Sequence, residues 1–174
     1  MGRYQNLLLR SEELDNVSWT KAGGVTVAND TTITAPDGST TSDKLTDDGT
    51  AGGTVYQTAA VTIPADTAYT FSVWLRSGTG TTATLKLKGD TAGDTETESA
   101  TLNLTTTWQR FSVTDTITNN AGGGETITAT LNHTGGASNT IFAWGAQLEV
   151  GTATNVYTRT TSEARALARG MQVN

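Results

Sequence analysis

The residues that could support acid–base or nucleophilic catalysis are few. His133 is the one histidine of the chain and lies beside a glycine-rich turn. We expect it to be exposed there, and no Gly-x-Ser-x-Gly sequence marks a serine nucleophile to accompany it. Glu96 and Glu98 have the spacing of two carboxylates on one strand face, the kind of pair that hydrolyses glycosidic bonds. Their polar surroundings, residues 90–98, are typical of a solvated loop, so the sequence predicts no catalytic residues and a protein that is not an enzyme.

Acidic residues near the N-terminal strands suggest metal binding instead. Calcium prefers carboxylate and backbone carbonyl oxygens, and the candidate ligands are Glu12, Glu13, Asp43 and Asp47. No Asp-x-Asp-x-Asp-Gly loop and no pair of histidines specifies such a site, so acids that are solvated in turns are the alternative. We expect that no cofactor is required and that a structural calcium is the metal to test for.

Sugar binding requires an exposed aromatic ring beside hydrogen-bonding side chains, because a sugar has an apolar face and a rim of hydroxyls. The run from Tyr69 to Arg76 alternates apolar and polar residues, so Trp74 should point away from Phe71 and its apolar neighbours. The alternative is that Trp74 packs under a loop or at a subunit contact. The carbohydrate-binding residues that we predict are Trp74, Arg76, Arg110 and Gln147.

Strands must position these residues. Threonine supplies 38 of the 174 residues, and threonine suits a pleated sheet with one wet face. The turn at residues 77–80 predicts a hairpin between the strands on either side of it. Trp144 has the spacing that puts it on the same strand face as Phe142 and Leu148, which predicts that it lies in the core. Eight or more short strands predict an all-β, antiparallel β-sandwich of the jelly-roll type. The predicted strands are residues 25–28, 44–46, 53–63, 69–76, 84–88, 99–104, 109–118, 125–132, 140–148 and 155–158.

The C-terminus has a different pattern from the strands. Apolar residues recur there at helical spacing after Ser162, and three arginines make this end positive on an acidic body. We therefore expect residues 1–160 to form the β-sandwich domain and residues 161–174 to form a short helical or extended docking tail; the alternative is a frayed terminus. The predicted docking residues are Arg159, Arg165, Leu167, Arg169 and Met171.

Charge and composition exclude several classes of function. The formal net charge is −6 and the isoelectric point is about 4.6, which disfavours a nucleic-acid-binding protein, since that class needs a basic surface. No apolar run approaches the roughly 18 residues of a membrane-spanning helix, so we expect no membrane insertion. The absence of cysteine rules out disulfides, a thiolate zinc site and a cysteine nucleophile.

Three segments, taken in order, resemble a known family. The first is Asn6-Leu7-Leu8-Leu9-Arg10-Ser11-Glu12, followed by Asn16 and Trp19. The second is Tyr69-Thr70-Phe71-Ser72-Val73-Trp74-Leu75-Arg76, followed by Trp108-Gln109-Arg110-Phe111. The third is Gly145-Ala146-Gln147-Leu148-Glu149, followed by Tyr157. This order resembles the jelly-roll, carbohydrate-binding-module-like domains of tailed-bacteriophage virion proteins, which occur on head fibres and decorations, spikes and tail fibres.

The resemblance implies a structural protein of the virion surface, either a head decoration or cement protein or a fibre subunit. The short length favours a decoration or cement subunit over a fibre. The implied partners are other capsid or tail subunits and further copies of the chain, with a trimer as the expected oligomer. The alternative is an adhesion module that binds a polysaccharide of the bacterial host surface, and the same fold serves both functions.

Overall fold

The computed structural model describes residues 5–49, 52–63, 65–91, 94–119, 124–134, 136 and 138–163. Within these ranges the chain forms eleven β-strands and no helix, which confirms the predicted all-β class. The strands are β1 (Thr20–Ala22), β2 (Val25–Asp30), β3 (Ser42–Asp47), β4 (Gly53–Val61), β5 (Thr67–Ser77), β6 (Thr82–Gly89), β7 (Thr97–Glu98), β8 (Leu102–Asn103), β9 (Gln109–Ile117), β10 (Glu125–His133) and β11 (Thr140–Val150).

The strands form two antiparallel sheets that pack face to face as a sandwich. Sheet I has the order β1-β4-β10-β6-β7, with β8 also paired to β6, and sheet II has the order β2-β3-β11-β5-β9. The alternation read from residues 69–76 is confirmed, because Phe71, Val73 and Leu75 are buried in the core between the sheets. Leu85 and Leu87 of β6 face them from sheet I.

The predicted hairpin between β5 and β6 is wrong, because these two strands belong to different sheets. The turn at residues 77–80 carries the chain across the sandwich, and its backbone is held by β11, where the N–H groups of Gly78 and Gly80 donate to the carbonyl oxygen of Thr140 at 3.0 and 2.9 Å. Alternation shows which side chains face the core, and both strands satisfy it equally well from opposite sheets.

Two of the predicted strands differ in the structure. Residues 155–158 form no strand, and only Leu102–Asn103 of the expected strand at 99–104 is in a ladder. The short strands β1 and β7 were not predicted. They have three and two residues, too few to show a periodicity of two in the sequence.

The N-terminal segment, residues 5–19, lies beside the second half of β11, beyond the end of its pairing with β3. The N–H of Leu7 donates to the carbonyl oxygen of Leu148 at 2.9 Å, and the N–H of Ala146 donates to that of Ser11 at 2.9 Å. Leu8, Leu14 and Trp19 from this segment are buried in the core. The segment therefore closes one edge of the sandwich.

The C-terminal docking tail lies mostly outside the described residues. Arg165, Leu167, Arg169 and Met171, and with them the helical pattern, fall in residues 164–174. Arg159 is described: its Nε forms an ion pair with Glu12 Oε2 at 3.2 Å, while 57% of its side chain stays exposed. Within the described ranges, no helix has the length and apolarity needed to cross a membrane.

Candidate functional site

Trp74 and Arg76 lie on the outer face of sheet II, as the alternation predicts. Both are partly exposed. Trp74 stands opposite Arg110 of β9 on one side and opposite Trp144 of β11 on the other. Directly opposed residues of antiparallel strands have Cβ atoms about 5 Å apart. The sheet therefore brings Trp74, Arg76 and Arg110 together on one surface, which we call the Trp74 face.

A β-bulge in β11 corrects the expected place of Trp144. The register between β11 and β5 shifts between Trp144 and Gln147, and Gly145 has a φ of +67° there. Because the bulge adds one residue, Trp144 faces outward beside Trp74, whereas Leu148 faces the core opposite Phe71. Trp144 is only 3% exposed, but the residues that bury it belong to the outer face and not to the core between the sheets.

Tyr157 and Thr41 cover Trp144 from outside. The rings of Trp144 and Tyr157 are tilted by 52° with centroids 4.7 Å apart, and Trp144 Nε1 donates to Thr41 Oγ1 at 3.0 Å. The Tyr157 hydroxyl bonds Ser11 Oγ at 2.6 Å and Glu12 Oε1 at 3.2 Å. Burial raises the pKa of Tyr157 far above its usual range. The hydroxyl is therefore a neutral structural group that holds the ring in place.

The segment at residues 151–160 crosses the outer face of sheet II and forms hydrogen bonds with the Gln147 side chain. This residue is fully buried; its Nε2 donates to Glu149 Oε1 at 2.9 Å, and its Oε1 accepts the N–H of Thr158 at 2.7 Å. Glu149 in turn accepts from the side chain of Asn155 at 2.7 Å. The prediction that Gln147 contacts a ligand is therefore wrong: its amide fixes the returning chain.

Arg110 lies at the border between the covered and the open part of this face. Its Nη1 donates to the carbonyl oxygen of Asn155 at 2.6 Å and its Nη2 to Ser72 Oγ at 3.0 Å. Burial lowers the pKa of Arg110, and the negative charge of Glu149 acts in the opposite direction. Arg110 is thus partly committed to structure, whereas Arg76 forms no hydrogen bond or ion pair among the described residues.

Unpaired donors mark the Trp74 face. Trp74 Nε1, Arg76 Nε and Arg110 Nε are shielded from solvent and have no hydrogen-bond acceptor among the described residues. A buried donor left without an acceptor costs roughly 1–3 kcal/mol. Because these three nitrogens have almost no contact with solvent, the parts of Trp74 and Arg76 open to a ligand are their other, exposed atoms.

The loop between β2 and β3 forms one wall of this face. It spans residues 31–41, and its Thr34 carbonyl oxygen accepts from Trp108 Nε1 at 2.8 Å, next to the start of β9. Within the loop, the carbonyl oxygen of Ile33 accepts from Ser42 Oγ at 2.7 Å. These hydrogen bonds hold the loop to Trp108 beside β9 and to Ser42 of β3, which lie towards opposite edges of sheet II.

His133 is not the exposed loop residue that the sequence predicted. It ends β10 with no exposed surface, and its Nδ1 lies 3.2 Å from Asp47 Oδ2. Its Nε2 has no partner among the described residues and faces Gly80, where an added Cβ would lie 3.0 Å away. A histidine–aspartate pair without a neighbouring nucleophile performs no acyl transfer, so we assign it to structure.

Glu96 and Glu98 do not form the acid pair of a hydrolase. Both bind one cation, with Lys86 Nζ 2.9 Å from Glu96 Oε1 and 3.7 Å from Glu98 Oε2. Glu98 lies in β7 and not in a loop, and the two side chains are more than 40% exposed. In a hydrolytic pair the two carboxyls flank the scissile bond, whereas the Lys86 ammonium group bridges these two side chains.

The four predicted calcium ligands have separate partners. Glu13 pairs with Arg10 at 3.1 Å, Asp47 with His133, and Glu12 with Tyr157 and Arg159. Asp43 is fully buried and accepts the N–H of Leu14 at 2.6 Å. The described residues contain no group of three or more His, Asp or Glu side chains arranged to hold a metal ion. The structural calcium stays a prediction for a chelation experiment.

Asp43 and Glu12 have perturbed acidities. Burial raises the pKa of Asp43 to about 7, against the opposing effect of the Leu14 N–H. Asp43 Oδ1 has no partner among the described residues. Burial also raises the pKa of Glu12, which the charge of Arg159 partly offsets.

Two shallow grooves lie away from the Trp74 face. One, of about 340 Å³, follows the free edge of β4 and is lined by Leu7, Leu9, Ser18 and residues 57–60. The other, of about 460 Å³, lies at the end of β6 and is lined mainly by Lys88, Asp90, Thr91 and Asp94. The described lining residues of both grooves include no aromatic side chain, so these residues do not offer the platform that a sugar ring prefers.

Comparison with solved structures identifies the architecture. The enzymatically active domain of tailspike protein 4 from bacteriophage CBA120 superposes with a TM-score of 0.60 at 16% identity over 86% of this chain. The chain spans only 22% of that tailspike chain. No protein-family model and no curated protein matches the sequence.

Two carbohydrate-binding domains match over their full length. TmCBM61, solved in complex with β-1,4-galactotriose, gives a TM-score of 0.57 at 17% identity, covering 85% of this chain and 100% of its own. The CBM22-1 xylan-binding domain of Paenibacillus barcinonensis Xyn10C gives 0.57 at 15% identity, covering 88% and 100%. At these identities the likeness shows the fold alone: the chain has the jelly-roll β-sandwich of carbohydrate-binding modules.

Proposed function

We propose that this chain is a non-catalytic glycan-binding module and that the Trp74 face is its binding surface. The observation that carries the proposal is the partly exposed Trp74 beside the partly exposed Arg76 on one sheet face. A sugar ring would place its apolar face on the indole, and its hydroxyl oxygens would accept from the Arg76 guanidinium.

The neighbours in fold support this proposal. One was solved with a galactotriose bound and another is described as xylan-binding. The residues of a hydrolase are not assembled in the described part of the chain, since Glu96 and Glu98 share one ion-pair partner, Lys86, and the histidine pairs with Asp47. Binding without cleavage is the function that these side chains favour.

A glycan array tests the proposal, with bacterial-surface and plant polysaccharides as the immobilised probes. We expect the wild-type chain to bind at least one glycan and Trp74→Ala to lose about tenfold or more of that affinity. Tyr56→Ala is the matched control, because Tyr56 is also partly exposed but lies on the outer face of sheet I. Equal losses in the two variants, or no binding to any glycan by a folded wild type, would refute the proposal.

We propose virion-surface attachment as a second function, compatible with the first. Its support is the order of the three sequence segments together with the fold likeness to a phage tailspike domain over 86% of the chain. Particle assembly would present the glycan-binding face outward and use Arg159 and the residues after it for docking to other subunits.

Electron microscopy with an antibody against the chain tests this second proposal. We expect labelling at regular positions on intact phage particles, and a loss of labelling when residues 161–174 are deleted while the melting temperature of the sandwich is unchanged. A folded chain that never labels particles would contradict attachment and leave glycan binding unaffected.

A further inference from the structure

Arg76 has no counter-charge among the described residues, unlike three cations elsewhere in the molecule. Lys86 binds Glu96 at 2.9 Å, Arg10 binds Glu13, and Arg159 binds Glu12. Arg76 is partly exposed, yet no carboxylate of the described residues lies within ion-pair distance of it. A guanidinium that the protein leaves unpaired on a recognition surface is available to an anion from outside.

A second cation lies on the same row of the sheet. Phe142 of β11 stands opposite Arg76 on one side and opposite Lys44 of β3 on the other. Strands are about 4.8 Å apart, so the two Cα atoms are separated by roughly 10 Å across a buried phenyl ring. The charge of Lys44 contributes to lowering the pKa of Asp30, so Lys44 has a carboxylate nearby. Arg76 has no carboxylate within ion-pair distance among the described residues.

The charged group on the open part of this face only donates hydrogen bonds. Arg76 is partly exposed, and a guanidinium has five N–H donors and no acceptor. A neutral sugar hydroxyl both donates and accepts, whereas a carboxylate or a sulfate only accepts. A carboxylate or sulfate therefore matches the Arg76 guanidinium, and hydrogen bonds between charged partners are about twice as strong as neutral ones.

The rest of the molecule sharpens this selectivity. The formal net charge is −6, so an acidic polymer is repelled by most of the surface and gains attraction only at a local positive site. Glu149 lies on the same sheet face but is engaged by Gln147 and Asn155 under the segment at residues 151–160. The open part of the face is therefore cationic on an anionic protein.

We propose that the Trp74 face binds an acidic glycan, with a sugar ring packed on Trp74 and a carboxylate or sulfate bound by the Arg76 guanidinium. This inference rests on the proposed glycan-binding function and narrows it to a substrate class. The shared chemistry is an anionic group on a sugar, and the two sources of that group are separated by the choice of probe.

The experiment compares each acidic polysaccharide with its neutral counterpart. The probes are polygalacturonate, alginate and bacterial uronic-acid polysaccharides beside their carboxyl-reduced products, and dextran sulfate beside dextran. We expect binding to an acidic member, with about tenfold or more lost on reduction or desulfation and a decline as ionic strength rises. Loss on carboxyl reduction identifies a uronate, and preference for dextran sulfate identifies a sulfate.

Variants assign the effect to Arg76. Arg76→Gln should weaken binding to the acidic probe roughly 10-fold to 100-fold, and Arg76→Lys should keep part of it because the charge remains without the planar fork. Lys88→Gln is the matched control, since it removes the same charge from an exposed position of sheet I. Unchanged melting temperatures of both variants exclude a folding effect.

The possible results separate this inference from the broader function. Equal binding to acidic and neutral members, or binding to neutral glycans alone, overturns the acidic class and leaves glycan binding intact. Acidic binding that survives both Arg76→Gln and Trp74→Ala overturns the assignment to this face. A folded wild type that binds none of the probes and nothing on the wider glycan array overturns both proposals.

Discussion

The outer faces of the two sheets have the same antiparallel pairing but differ in what lies over them. On sheet I, Thr58 of β4 and Thr128 of β10 stand opposite each other with their hydroxyls 2.9 Å apart in an exposed row. On sheet II, Thr70 and Thr114 form the same kind of pair at 2.7 Å, but Thr70 is fully buried under the carbonyl of Gly151. Sheet II, unlike sheet I, is therefore partly covered by the chain itself within the described ranges.

The two outer faces differ because of the segments that cover sheet II, since the strand pairing is antiparallel in both sheets. The segment at residues 151–160 and the loop at residues 31–41 bury Trp144 and leave Trp74 and Arg76 partly open between them. Sheet I has no such walls over its threonine rows among the described residues. Its regular hydroxyls present a flat, wet surface.

Truncating Trp144 should have the largest effect on this comparison. Trp144→Ala removes a side chain that is 3% exposed and packs on Tyr157, so we expect the free energy of unfolding to fall by about 3–5 kcal/mol. Tyr56→Ala on sheet I should cost about 1 kcal/mol, because Tyr56 is partly exposed. Urea denaturation measures both. Similar losses would mean that the cover of sheet II contributes little to stability.

The pH dependence of stability should also follow sheet II, through Asp43 of β3. Its pKa is about 7 in the folded protein against 3.8 for a solvent-exposed aspartate, so the folded state binds a proton more tightly than the unfolded state. The contribution of Asp43 to the free energy of unfolding is therefore fully present below about pH 4. It is lost as pH rises towards 7, by at most roughly 4 kcal/mol. Urea denaturation between pH 4 and pH 8 measures this fall.

Asp43→Asn isolates that effect. The amide oxygen can still accept the Leu14 N–H, now at 2.6 Å, and the amide carries no charge to desolvate. We expect the difference in unfolding free energy between variant and wild type to grow in favour of the variant up to about pH 7 and then to level off. Parallel pH curves for the two proteins would show that Asp43 does not titrate in this range.

Gly145→Ala tests the bulge that turns Trp144 outward. Alanine at a φ of +67° costs about 1–2 kcal/mol, and its Cβ would lie 3.2 Å from Trp74 Cδ1. Gly38→Ala is the control, because Gly38 has a φ of +88° with nothing within 4 Å of the added Cβ. A larger loss of melting temperature at Gly145 than at Gly38 would measure the crowding against Trp74. Equal losses would assign the whole effect to the backbone.

The two threonine pairs give the closest matched test of the covering effect. Thr70→Val removes a hydroxyl that donates to the Gly151 carbonyl at 2.8 Å in a buried setting, so we expect a loss of about 1–2 kcal/mol. Thr58→Val removes the exposed hydroxyl of sheet I and should change stability by no more than about 0.5 kcal/mol. Chemical denaturation of the two variants measures the difference. If Thr58→Val costs as much as Thr70→Val, burial does not distinguish the two faces.

The sequence predicts the sandwich from the number of its short strands. It predicts the outward direction of Trp74 and Arg76 from the periodicity of two within β5. It does not predict the neighbours of β5, because alternation carries no information on sheet membership, and the turn at residues 77–80 crosses between sheets. The outward turn of Trp144 depends on Gly145, and a glycine within a strand is the one signal that suggests a bulge.

The burial of His133 and Gln147 could not be predicted for a different reason. Their partners, Asp47 and Thr158, come from β3 and from the returning C-terminal segment. Residues 155–158 were predicted to be a strand, yet their backbone bonds the side chains of Arg110, Gln147 and Glu149 and pairs with no strand. Only the tertiary structure shows whether the backbone of such a segment bonds another strand or bonds side chains.

Chelation should have the smallest effect and decides whether the acids beside sheet II hold calcium. A calcium that binds only the folded state at a hundredfold excess over its dissociation constant adds about 2.7 kcal/mol. Because Glu12, Glu13 and Asp47 each bind a partner of their own, we expect excess EDTA to leave the melting temperature unchanged. A fall that calcium reverses and magnesium does not would instead identify a site at the N-terminal segment. Asp43→Asn would then show whether the unpaired Oδ1 of Asp43 is one of its ligands.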